Sequence, residues 1–147
     1  MTEMDAAGGV GDVRVLLVGE DAALLEGLSQ SFAALGYVPH VVTTLHEARE
    51  SALATAPLLA VVDGELATES GADALAIQLA PGGALVLYHN AVDDRPPISP
   101  TLQRAVLADL TLPLERNRLI ALAQHVQERV RATGRGKRTT PPEQQAF

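Results

Sequence analysis

The feature that most constrains this chain is an alternation: five short runs rich in Val, Leu and Ala recur along the sequence, and a helical pattern follows each one. That order is the mark of repeated strand–helix units and of a parallel sheet covered on both faces. The runs lie at 13–18, 38–42, 58–62, 84–88 and 106–110. The third, LLAVV, is apolar without a break, as a central strand buried on both sides requires. The first helix is expected over 22–35, with Asp21 as N-cap, Gly36 closing it, and Leu24, Leu25, Leu28, Phe32 and Leu35 spaced as one buried stripe. Thr44 caps a second helix reaching to residue 55, where Glu47 supplies the acid of a capping box. A short third helix is expected over 72–79. A fourth opens with Ser99 as N-cap and Pro100 at its first position. The last helix, 114–132, carries Leu119, Leu122, Ala123, Val126 and Val130 on one stripe and stops at Gly134. The fold class is therefore α/β, a doubly wound five-stranded parallel sheet.

With 147 residues, 47% of them hydrophobic, the chain can bury one sizeable core. Residues 13–133 read as that domain, between flexible tails at 1–12 and 134–147. The basic cluster Arg135, Lys137 and Arg138 belongs to the second tail and reads as solvated. There is no cysteine, so disulfides and thiolate metal sites are excluded and a cytoplasmic location is the natural expectation. No apolar stretch approaches the roughly 20 residues that span a bilayer. The first dozen residues lack the basic and apolar segments of an export signal. A net charge of −7 argues against a nucleic-acid partner, and 3% aromatic content supplies no stacking platform for single strands.

In an open parallel sheet, sites form beyond the carboxyl ends of the strands. Here those ends carry Gly19, Glu20 and Asp21, then Asp63, then Tyr88 and His89, then Thr111, Leu112 and Pro113. Glu20, Asp21 and Asp63 could together bind a hard cation such as Mg²⁺, with Asp63 as phosphoryl acceptor. The plainer reading makes Asp21 a helix cap and Glu20 and Glu65 solvated acids. Asp63 resists it, because an acid directly after a buried strand needs a compensating partner. His40, His46, His89 and His125 sit on separate elements without metal-ligand spacing and read as surface residues, although His89 stands at a strand end near the acids. No nucleophile elbow, P-loop or G-x-G-x-x-G is present.

The segments VRVLLVGED, LLAVVD ending on Asp63, and LTLP before the last helix resemble the receiver domain of bacterial, CheY-like response regulators, over about residues 13–132. The resemblance implies the flavodoxin-like strand order 2-1-3-4-5, for which a receiver protein is itself a standard example. It implies that Asp63 is the candidate phosphoacceptor, that Glu20 is one of two paired Mg²⁺-binding acids, and that residue 65 offers its backbone carbonyl to the metal. Four positions depart from the pattern. Gly19 stands where the first acid is expected, with Asp21 as a shifted substitute. Tyr88 replaces the small hydroxyl residue that binds the phosphoryl group, Leu112 the lysine that neutralises it, and Asp109 the aromatic switch. What remains resembles a degenerate receiver, or pseudo-receiver.

Three functions follow as expectations. The leading one is a stand-alone signalling module that is not an enzyme and requires no cofactor. It would act by binding a protein through the fifth strand and the fourth and fifth helices, independently of phosphorylation and without a DNA-binding segment of its own. The alternative is a working receiver in a two-component phosphorelay, phosphorylated on Asp63 with Mg²⁺ by a histidine kinase. The third is a small α/β enzyme or binder with a pocket formed by the loops ELATESG and HNAVDDRPP.

Overall fold

A computed structural model of the chain describes residues 13–89 and 97–139. The strands are β1 (Arg14–Val18), β2 (Val38–Val42), β3 (Leu59–Asp63), β4 (Ala84–His89) and β5 (Val106–Thr111). The helices are α1 (Ala22–Ala34), α2 (Leu45–Thr55), α3 (Asp73–Ile77), α4 (Pro100–Ala105) and α5 (Arg116–Thr139). All neighbouring strands pair parallel in the order β2-β1-β3-β4-β5, so the expected 2-1-3-4-5 arrangement is present.

Alternation along each strand divides the core into two layers. Val15 and Leu17 of β1, Leu59 and Val61 of β3, and Val86 and Tyr88 of β4 face Leu25, Leu28 and Phe32 of α1 and Leu119, Ala123 and Val126 of α5. Leu16, Val18, Ala60, Val62, Leu85 and Leu87 face the other way, against α2, α3 and α4. Strands β1, β3 and β4 are thus buried on both faces. That double burial is why they read as continuous apolar runs. The outer strands β2 and β5 alternate between exposed and covered positions.

Several boundaries depart from the sequence reading. β3 runs one residue further and takes in Asp63, β4 takes in His89, and β5 reaches Thr111, because pairing with neighbours continues past the apolar run. α3 is only five residues long, and a 3-10 turn over Leu66–Thr68 precedes it where a plain loop was expected. Leu35 is half-exposed as the C-cap of α1 rather than part of its buried stripe. α5 continues through Gly134 and Gly136 to Thr139; each glycine costs a helix only about 1 kcal/mol, too little to end it. Residues 133–139 are therefore helical, although the sequence reads them largely as tail. The basic cluster at 135–138 falls inside this helix. The other parts of both tails, 1–12 and 140–147, and most of the loop HNAVDDRPP, 90–96, lie outside the described residues.

The caps follow the sequence closely. Asp21 accepts from the Leu24 N–H at 3.1 Å, Thr44 from the Glu47 N–H at 3.1 Å, and Ser99 from the Leu102 N–H at 3.2 Å. Glu47 reaches back to the N–H of Thr43, one residue beyond the cap, at 3.2 Å. Between β4 and β5 the register slips by one at Leu107, a bulge that sets Leu110 opposite Tyr88 and Thr111 opposite His89.

Candidate functional site

The site is built at the carboxyl edge of β1, β3 and β4, where the strand order reverses and neighbouring connections run to opposite faces of the sheet. Cα pairing sets Asp63 beside Tyr88. The ladder continues past the strand ends, with the Gly64 N–H donating to Tyr88 O at 2.9 Å and the Leu112 N–H to His89 O at 3.0 Å. These bonds tie the loops after β3 and β5 to the end of β4, and the Leu112–Pro113 bond that follows is cis.

Tyr88 dominates the geometry. It is only 1% exposed, on the α1–α5 side of the sheet, in one apolar layer with Leu25, Leu110 and Leu112. Its hydroxyl reaches across to β1. A Cβ placed on Gly19 would lie 1.9 Å from the Tyr88 hydroxyl oxygen, far inside any tolerated contact, so only glycine at 19 leaves room for this ring. The hydroxyl has no hydrogen-bond partner among the described residues. Burial, and then the negative charges of Asp63, Asp21 and Glu20, push its pKa well above the usual 10.0. All three acids named from the sequence thus act on one buried oxygen.

The carboxylates themselves are arranged differently. Glu20, Asp21 and Glu65 are exposed and Asp63 is half-buried. One Asp21 oxygen is held by the Leu24 N–H, and one Asp63 oxygen accepts from the Glu65 N–H at 2.9 Å. Among the described residues no group of three or more histidine, aspartate or glutamate side chains is placed to hold a metal ion. The Mg²⁺ that the resemblance implies therefore has no matching ligand set as the chain is folded. The place nearest β1 is filled by a neutral ring.

On the opposite side of the sheet His89 repeats the pattern. It is 8% exposed rather than on the surface, which corrects the sequence reading; His40, His46 and His125 are exposed as expected. A Cβ on Gly64 would lie 2.1 Å from the His89 ring. Nε2 of His89 approaches Asp109 Oδ1 at 2.8 Å, diagonally across β4 and β5, in a contact lacking good hydrogen-bond geometry. Asp109 thus touches the end of β4 from the position where the resemblance expects a switch residue. Leu112, where a lysine is expected, is 1% exposed inside the α1–α5 layer. Sequence reasoning missed the pairing of each ring with a glycine. Its trace was there: glycines at the ends of β1 and β3, and two adjacent rings at the end of β4.

No protein-family model matches the sequence, and no curated protein matches it significantly. Solved structures do. A receiver domain of the CheY-like type from Methanospirillum hungatei is 21% identical, with 81% of this chain and 97% of that one covered and a TM-score of 0.61. The signal receiver domain of a putative Luxo repressor from Vibrio parahaemolyticus is 21% identical over 82% of this chain and 94% of its own, with a TM-score of 0.62. A response regulator from Burkholderia pseudomallei, solved with a phosphorylated aspartic acid, a calcium ion and citrate, is 18% identical over 84% and 73%, also at 0.62. Strand order, layers and these likenesses agree: the chain has the receiver fold of CheY-like response regulators.

Proposed function

We propose that this chain is a pseudo-receiver, a signalling module that acts by binding another protein and does not use phosphorylation as its input. The observation that carries the reading is Tyr88, whose buried ring fills the space between the end of β4 and Gly19. A phosphoryl group on Asp63 would need cationic and hydroxyl partners to spread its charge. At the matching positions stand a buried Leu112, which offers neither charge nor donor, and a phenol whose ring is locked in the core. The geometry supports binding rather than turnover, and Asp63 acts as a structural acid that holds the Glu65 N–H.

The face we assign to the partner is β5 with α4 and α5, where Leu107 is 38% exposed at the bulge and Asp109 is tied to His89. The deciding experiment titrates the protein with Mg²⁺ and beryllofluoride while amide shifts are followed. No saturable shift around Asp63 is expected. Saturable shifts there would instead establish the phosphorelay reading, with Asp63 as acceptor from a histidine kinase.

A further inference from the structure

We infer that Tyr88 is an internal plug keyed to Gly19, and that this side chain keeps a divalent cation out. With the plug cut back, Glu20 and Asp63 take up a hard cation such as Mg²⁺ or Mn²⁺. The inference rests on the reading of the site as degenerate and explains what closes it.

Two observations meet here. The first is steric and reciprocal. The Tyr88 hydroxyl lies where any side chain on residue 19 would begin, and the ring carbon bearing it would be 3.1 Å from that Cβ, so a larger residue at 19 and a tyrosine at 88 exclude each other. The glycine at the end of β1 is therefore the partner of the ring as well as an absent acid. The second is electrostatic. A buried hydroxyl with no hydrogen-bond partner among the described residues stands beside Gly19, next to the carboxylates Glu20 and Asp21 in sequence, on a residue paired with Asp63. Such a setting favours a cation, and a cation needs charged oxygens and room for its retained waters. Tyr88 takes the room and, as a phenol, brings no charge.

The test measures Mn²⁺ binding to the full chain by paramagnetic broadening, with Mg²⁺ competition. Wild type and Tyr88→Phe, which keeps the ring, should show no saturable binding. Tyr88→Thr should bind; adding Gly19→Asp should tighten binding about tenfold, since charge count sets affinity at such sites, and adding Asp63→Asn should abolish it. Wild type binding as tightly as Tyr88→Thr would overturn the plug, as would folded Tyr88→Thr and Gly19→Asp/Tyr88→Thr proteins that both fail to bind. Should Tyr88→Thr not fold, Tyr88→Val leaves a smaller void and serves in every arm. The key itself is checked by a cycle: Gly19→Ala should lower Tm sharply, and Tyr88→Phe should restore much of the loss. Equal losses in both backgrounds would sink it. None of these failures touches the beryllofluoride result on wild type, which alone decides whether the chain is a pseudo-receiver.

Discussion

At the scale of single residues, two rings at the end of β4 decide what the strand ends can do. Tyr88 contributes a large buried surface, yet its hydroxyl, without a partner among the described residues, carries a desolvation cost of about 1–3 kcal/mol. Tyr88→Phe should therefore be neutral or stabilising by up to about that amount, measured by urea unfolding at neutral pH. The same change should alter alkaline behaviour. A phenol whose folded-state pKa is raised stays protonated when the unfolded chain has begun to ionise, so its contribution is intact below pH 10 and lost as pH rises beyond it. Tyr37, also raised by burial, ionises late as well and leaves a residual slope. The expected outcome is a Tm that falls above pH 10 in wild type and falls less in Tyr88→Phe. Identical profiles would mean that the Tyr88 hydroxyl is not held in the buried environment described. Leu112→Lys tests the other lost position: it places an unpaired ammonium in the α1–α5 layer and should cost several kcal/mol unless Asp63 reaches it.

At the scale of elements, caps and glycine contacts set where each helix starts and how tightly the loops close over the sheet. Asp21 serves as the N-cap of α1, and its removal by Asp21→Ala should cost about 1 kcal/mol in chemical denaturation. A much larger loss would show that Asp21 does more than cap. Gly64→Ala should be worse, by about 1–3 kcal/mol, because the new methyl would collide with the His89 ring. Adding His89→Ala should return part of that loss, and a double variant as unstable as the sum of the singles would place the strain elsewhere. The caps were legible in the sequence because each depends on residues three apart in the chain. The glycine contacts were not, since Gly64 and His89 are 25 positions apart and meet only through the pairing of β3 with β4.

At the scale of the whole molecule, stability should be concentrated in β1, β3 and β4, whose faces are both covered, and should thin out toward β2 and β5. Native-state hydrogen exchange is expected to show Leu16, Val61 and Val86 among the slowest amides, with Val38 and Ala108 exchanging through smaller openings. Comparable protection in β2 and in the centre would contradict this layering. Mass action extends the argument to ions: a ligand that binds only the folded state raises Tm. Millimolar Mg²⁺ should leave the Tm of wild type unchanged once ionic strength is matched, since no three acids or histidines among the described residues are grouped to hold it. A clear rise would point to a cation site that the folded arrangement does not display.

The sequence by itself determined the class of this protein: alternating apolar runs and helical stripes dictate a doubly wound parallel sheet, and local chemistry dictates the caps at Asp21, Thr44 and Ser99. It also named the strand ends where a site could form. Its likeness to receivers marked Gly19, Tyr88, Asp109 and Leu112 as departures, but as four separate losses. Only the tertiary structure decided that two of them are one event. Pattern along the chain reports periodicity and local bonding, whereas the space beside Gly19 is defined by a ring two strands away. Whether a tyrosine there points outward or into the α1–α5 layer depends on strand order, register and pleat together, and those exist only once the sheet has closed its core.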